Sequence, residues 1–329
     1  MMKIDAVITW VNGDDPAHRE KRKRYGSPAM FNAQDVAGNT RFSSLDEIFW
    51  CVASLNRFAP WLNKIYIVTD GQDPGLDKFI SETFPQGHIP MEIIDHKVIF
   101  RGYEDYLPSF NSVSIETMTW RIPGLSDYFI ELNDDFMLNA PVTPEEFFTC
   151  DGKPICYAKR YSVALTRFTR LFKHRKDGSK KVTFKGLMLN AASLAGSRSF
   201  YFRLGHTPRA LRRDFYEDYF LEHDNLTIRN IRHRFRDPEQ FTPQELQYLT
   251  LYKKGECVHR DPHKTLFFLQ PKKKKDYVRK KMERLEKMKE CKFVCFNSID
   301  LACAQDRELV TAWIEKRLGI DLRKYGRGC

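Results

Sequence analysis

Apolar and polar positions fall along this chain in blocks, and the blocks set the expected elements. Residues 6–11 (AVITWV) form a nearly unbroken apolar run, which predicts a short buried strand. It ends in the polar turn Asn12-Gly13-Asp14. Residues 43–62 carry Ile48, Phe49, Val52 and Leu55 at helical spacing behind Ser43 and Ser44, either of which can cap a helix, and Pro60 follows its end. A second strand over 65–68 stops at Thr69-Asp70, and a third covers 91–96. Residues 111–120 predict a helix stopped by Pro123, and 128–133 (YFIELN) predict a fourth strand that breaks into Asp134-Asp135. Four strands alternating with helices predict a mostly parallel α/β sheet flanked by helices. In such a sheet the polar strand ends Asn12-Gly13-Asp14, Thr69-Asp70 and Asp134-Asp135 line one edge, where ligands bind.

The texture then changes. Residues 155–204 predict a basic hairpin turning near Asp177-Gly178 and a helix over 187–194, and residues 207–256 read as mainly helical with breaks at Pro238 and Pro243. Residues 292–298 predict a last strand, followed by a helix over 306–318. The expectation is one unit over 1–329 with three parts: an α/β part (1–150), a basic hairpin and helix insertion (151–205), and a more helical remainder (206–329).

With 329 residues, 42% of them hydrophobic and 29% charged, the chain is long enough to bury a full core and too apolar for extensive disorder. Its apolar runs fall short of the roughly 18 residues of a membrane span. The opening MMKIDAVITWVNGDD turns acidic too soon for a signal peptide, so a cytoplasmic location is expected. Eight cysteines read as reduced thiols. Cys257, His259, His263, Cys291 and Cys295 have zinc-binding side chains, but their spacing matches no zinc signature, and core thiols with surface histidines are the better reading.

The net charge of +11 predicts an anionic partner. Residues 272–292 hold eleven Lys or Arg against four Asp or Glu, and Tyr277, Val278, Met282, Leu285 and Met288 recur at near-helical spacing. That is an amphipathic basic helix, offering either a solvated face or a docking surface for anionic lipid. Base-stacking aromatics are nearly absent from the basic run, so nucleic acid is not the expected partner.

No P-loop, GxGxxG, HExxH or GxSxG motif is present. What remains is Asp134-Asp135 at a strand end, which suits Mg²⁺ or Mn²⁺ held against a diphosphate, or a cap or turn.

The segments VITWVNGDDP, RFSSLDEI, APWLNKIYIVTDGQDPGL, DHKVIF, LPSFNSVSIE and RIPGLSDYFIELNDDF resemble, in that order, the Stealth family of sugar-phosphate transferases. That family includes bacterial capsule polymerases and the lysosomal-enzyme N-acetylglucosamine-1-phosphotransferase. The resemblance runs over residues 4–138 and continues through LMLNAASL, LGHTPRALRR, IRHRFRDPEQ and KFVCFNSID, where Ser298 stands in place of a usual Asp. It implies transfer of a hexose-1-phosphate from a UDP-sugar to an acceptor sugar hydroxyl, with UMP released, in making a phosphodiester-linked capsular or cell-surface polysaccharide. The implied fold is Rossmann-like, of the GT-A kind, with 1–150 binding the nucleotide-sugar donor and 206–329 the acceptor and phosphate.

On matching positions the resemblance implies Asp134 and Asp135 as ligands of Mg²⁺ or Mn²⁺, or as organisers of the site, His206 as general base, and Arg236 with Arg234 as phosphate clamp. Asn12, Gly13, Asp14, Asp70, Asn111, Arg121, Asn190 and Asn297 are the implied substrate contacts, Arg121 having an ion pair with Glu116 as its alternative. His96-Lys97 stays outside the site because Val98 stands where an Asp is usual. The expected partners are the nucleotide-sugar donor, the growing polysaccharide and an anionic membrane surface met by residues 272–292, with the enzyme cytoplasmic or peripheral on the inner face of the plasma membrane. Two other functions stay open: a metal-dependent glycosyltransferase that moves the sugar alone and releases UDP, and, more remotely, a nucleic-acid-binding protein.

Overall fold

The computed structural model describes residues 2–26, 46–171, 183–272 and 274–325. Among these, eleven strands form three sheets: β1 (Ile4–Thr9), β2 (Ile65–Thr69), β3 (Met91–Asp95), β4 (Tyr128–Asn133), β5 (Phe136–Leu138), β6 (Ile155–Ser162), β7 (Phe200–Leu204), β8 (Arg209–Arg212), β9 (Val258–Arg260), β10 (Leu266–Leu269) and β11 (Phe293–Phe296). The central sheet has the order β3-β2-β1-β4-β8, with β1 to β4 parallel and β8 antiparallel to β4. β1 and β4 pair from Ile4 opposite Tyr128 to Thr9 opposite Asn133, so their carboxyl ends finish side by side. The smaller sheets are β10-β11-β5 and β7-β6-β9.

The apolar runs of the central strands follow from burial on both faces. Ile4, Ala6 and Ile8 of β1 enter one core, shared with the helices Glu47–Phe58 and Ala304–Leu318 and the sheet β10-β11-β5. Val7 enters the other, shared with the helices Phe184–Leu194, Arg213–Glu222 and Pro243–Lys253. Asp5 is fully buried within β1, and its carboxylate accepts from Asn63 Nδ2 and from the Ser126 backbone N–H, each at 2.7 Å. Those bonds offset the desolvation of the charge.

The α/β sheet expected from the sequence is present, and its first four strands agree with the pattern to within two residues at each end. Three stretches differ. Residues 163–171 form a helix rather than a hairpin arm, because Ser162 Oγ accepts from the Leu165 backbone N–H at 3.2 Å just as β6 ends. The expected turn at Asp177-Gly178 and the caps Ser43 and Ser44 lie outside the described residues. The stretch read as helical from 207 opens instead with β8, whose Arg209 and Arg212 pair with Glu131 and Asp214. The helix expected over 111–120 is a short one, Ser112–Glu116, followed by a 3₁₀ turn, Thr119–Arg121.

Candidate active site

A cavity of about 1820 Å³ opens at the carboxyl ends of β1, β2 and β4, lined there by Thr9 to Val11, Val68 and Asn133 to Asp135. This is the edge at which an open parallel sheet holds its ligands. Asp135 Oδ2 accepts from Asn297 Nδ2 at 3.0 Å and from the Cys295 thiol at 3.3 Å. Its buried Oδ1 meets no hydrogen-bond donor among the described residues. Burial, then Glu47 and Asp135, push the neighbouring Asp134 carboxyl well above the usual carboxylate range.

Glu47, the first residue of its helix and 5% exposed, lines the same cavity. Three acids around one space, with a buried carboxylate oxygen left over, fit a divalent cation. The three-donor cluster among the described residues is a different one, His233, Asp237 and Glu239. The acid pair would therefore supply one or two carboxylates, as suits Mg²⁺ or Mn²⁺ that keeps waters and binds phosphate oxygens.

His206 follows β7 and faces the cavity. Its ring stacks on Phe268 at 4.4 Å between centroids and meets the edge of Phe136 at 6.1 Å. Water reaches the ring from the cavity, but protein crowds its other sides. That crowding lowers its basicity below the ordinary 6.5, while Asp135 pulls the other way. A neutral imidazole open to solvent beside a carboxylate can accept a proton.

Arg236 also lines the cavity, with one guanidinium nitrogen 3.3 Å from Ser112 Oγ and the group 4.5 Å from the centre of the Phe184 ring. Its loop is tied down by residues expected to touch substrate. Asn111, buried, donates from Nδ2 to His233 O at 3.1 Å and to Gln240 Oε1 at 2.9 Å. Asn190 Nδ2 donates to Pro238 O at 2.9 Å and Gln240 O at 2.7 Å. Arg234 donates to the carbonyls of Asp105 and Leu107 and covers the Tyr25 ring. Asn111, Asn190 and Arg234 do not line the cavity; they hold the segment that carries Arg236.

The remaining expected contacts, Asn12, Gly13, Asp14, Asp70 and Arg121, also lie outside the lining. The Asn12 backbone N–H donates to Gln72 Oε1 at 2.8 Å, joining the loops after β1 and β2. The Gly13 carbonyl accepts from Arg22 at 3.0 Å, Asp14 pairs with Arg19, and Asp70 pairs with Lys21 at 3.0 Å. Arg121 donates to the carbonyls of Ile99 and Arg101 rather than pairing with Glu116, and it borders a second cavity with Lys97, Arg101 and Pro123. The zinc candidates do not assemble. His259 stacks on Phe202 at 5.0 Å, His263 is exposed, and Cys257, Cys291 and Cys295 are buried free thiols.

Glu47, His18, His96, Glu116, Arg209, Gln244 and Glu245 line the cavity without having been anticipated. His18 and His96 are buried, and burial lowers each to about 4, so both stay neutral at physiological pH. Arg209 bonds Glu131 at 2.8 Å and lies 3.5 Å from Asn133 Oδ1, beside the acid pair. Burial and then Glu116 raise Glu131 to about 7, against the pull of Arg209. Two carboxylates share one guanidinium, and Gln244 bridges both acids. Arg209→Met leaves these acids buried without their cation, so urea unfolding is expected to show a loss of about 3–5 kcal/mol. Adding Glu131→Gln should recover part of it; an unchanged midpoint for the single variant would sink this account.

Models of Stealth protein conserved regions 1 and 2 match residues 2–27 and 41–156. The exopolysaccharide phosphotransferase SCO6023 of Streptomyces coelicolor is 32% identical over 259 residues, which is 78% of this chain and 41% of that protein. The capsular polysaccharide phosphotransferase WcwK of Streptococcus pneumoniae is 38% identical over 166 residues, 50% of this chain and 46% of its own length. The chain thus spans less than half the length of these relatives. Among solved structures, the galactosyltransferase LgtC in complex with donor and acceptor sugar analogs aligns over 96% of this chain and 95% of its own, with a TM-score of 0.48 at 9% identity. The bifunctional glycosyltransferase WbbM aligns over 96% of this chain and 52% of its own, with a TM-score of 0.47 at 11% identity. Both conserved regions of the Stealth proteins are thus matched in order, and the likeness to named relatives extends across 78% of this chain.

Proposed function

We propose that the chain transfers a hexose-1-phosphate from a UDP-sugar to a sugar hydroxyl of a growing, phosphodiester-linked capsular or cell-surface polysaccharide, releasing UMP. One observation carries the reading: an acid pair, a histidine and an arginine line the same cavity at the sheet edge. Attack is on phosphorus. The acceptor oxygen forms a new P–O bond to the sugar-bearing phosphorus, and the P–O bond to the nucleoside phosphate breaks. His206 takes the hydroxyl proton on an imidazole nitrogen. Arg236 holds the non-bridging oxygens through its forked donors. Asp134 and Asp135 would hold Mg²⁺ or Mn²⁺, with Asn297 fixing the Asp135 carboxylate. When bound, the ion neutralises the diphosphate charge.

The names of the relatives, exopolysaccharide and capsular polysaccharide phosphotransferases, support this reading. We take the place of action to be the cytoplasm or the inner face of the plasma membrane; no described helix is long and apolar enough to cross a membrane. The test is the nucleotide product. With a panel of UDP-sugars, Mg²⁺ and an oligosaccharide acceptor, UMP is expected to accumulate one for one with product. UDP as the sole stoichiometric nucleotide would instead mean attack at the anomeric carbon, the metal-dependent glycosyltransferase alternative. No turnover, together with nucleic-acid binding of steep salt dependence, would point to the binding protein.

A further inference from the structure

Lys272, Lys274 and Lys275 line the same cavity as Asp134, Asp135, His206 and Asn297. All three are exposed, and none has an acidic partner among the described residues. Neighbouring cations are already engaged. Arg279 pairs with Asp276 at 3.5 Å and Glu283 at 2.9 Å, and Lys281 donates to the Phe268 carbonyl at 3.3 Å.

A short path fixes these lysines relative to the chemistry. The Asn297 backbone N–H donates to Leu269 O at 2.9 Å, and its side chain donates to Asp135 at 3.0 Å. Lys272 follows Leu269 by three residues, so its Cα lies within about 11 Å of that strand end. The turn is pinned by the Lys274 N–H on Lys272 O at 2.6 Å and the Tyr277 N–H on Lys274 O at 3.1 Å. Asp276 then takes a left-handed backbone, φ 55°, before the helix Tyr277–Lys287, whose Val278, Met282 and Leu285 are buried in the core. Lys272, Lys274 and Lys275 are therefore part of the cavity wall.

We propose that Lys272, Lys274 and Lys275 form an acceptor subsite that holds a phosphodiester already present in the growing polysaccharide, upstream of the hydroxyl that receives the next unit. The inference rests on the phosphotransfer reading above. Each round of that reaction leaves an anionic linkage behind, so an elongating acceptor carries charges that a neutral starter lacks. In that reading the donor phosphates are met by Arg236 and by the cation that Asp134 and Asp135 would hold. A bilayer is a flat surface, whereas charges on a concave wall suit a chain-like anion lying within it.

The test uses the full chain and the triple variant Lys272→Gln, Lys274→Gln, Lys275→Gln. Two synthetic acceptors end in the same hexose, one linked internally by a phosphodiester and the other by a neutral glycosidic bond. Wild type is expected to show a KM about 10-fold lower for the phosphodiester acceptor, since three exposed charges each contribute modestly. Added salt should shrink the preference, and the triple variant should abolish it. Equal KM values in wild type, or a preference that survives in the triple variant, overturns the subsite. A rise in donor KM with both acceptors alike also overturns it, as does loss of binding to phosphatidylglycerol vesicles with the preference unchanged. Should wild type transfer the sugar without its phosphate, the phosphotransfer reading fails, and binding of the fluorescently labelled phosphodiester disaccharide still judges the subsite. Tighter binding by wild type than by the triple variant supports it, and equal binding overturns it.

Discussion

Asp135→Asn is expected to lower turnover by roughly 1,000-fold or more while leaving the fold intact, because several kcal/mol of transition-state stabilisation depend on the charge it removes. The substitution keeps the side chain's size, and Asn297 Nδ2 can still donate to the amide oxygen that replaces Oδ2. What is lost is the negative charge beside the buried Oδ1. Asp134→Asn should act in the same direction. Burial, Glu47 and Asp135 already strain its ionisation, so a cation there has to displace a proton, and apparent Mg²⁺ affinity should fall as pH falls. Calorimetry of UDP-sugar binding with and without Mg²⁺, together with circular dichroism, separates a lost site from a lost fold. If both variants keep wild-type metal dependence and turnover, the acid pair is a turn.

His206→Ala should lower kcat by roughly 100- to 10,000-fold, the usual contribution of a general base, while metal-dependent donor binding survives. The pH dependence gives a second readout. A base works when neutral, so the rate rises as pH climbs through its pKa. Crowding lowers that value below 6.5, so the acid limb for wild type should lie below pH 6.5. A divalent cation on Asp135 would remove the one nearby influence that raises it, and the limb would move further down. His206→Gln, which keeps a polar side chain against Phe268, should lose both rate and limb without loss of thermal stability. A variant with wild-type kcat, or one that keeps the acid limb, would exclude His206 as the base.

What was legible in the sequence follows physical rules. β1, β2 and β4 are buried on both faces, so their apolar runs stand out, and Asp134-Asp135 is conspicuous because charge follows such a run abruptly. β8 was not legible: the residues RALR look like a helical surface, and only Glu131 and Glu116, distant in sequence, explain a half-buried Arg209. Glu47 reads locally as an ordinary acid in the first turn of a helix, and its approach to Asp134 is purely tertiary. Asn111, Asn190 and Arg234 were implied by the resemblance and not by any local pattern, and in the structure each is hydrogen-bonded around the loop of Arg236. His96 was set aside because Val98 stands where an Asp is usual, although the residue lines the cavity.

The bond from Asn297 to Asp135 joins residues 162 positions apart, and β11, which carries Asn297 at its end, pairs with β5 just beyond Asp135. That separation exceeds the 124 residues between Ile4 and Tyr128, the paired starts of β1 and β4. During synthesis the acid pair therefore emerges long before the strand that orients it. A ribosome-bound chain stopped near residue 290 would hold both carboxylates but lack Asn297 and the Cys295 thiol, and it should be inert toward nucleotide sugar. Competence arrives only when β11 docks against β5.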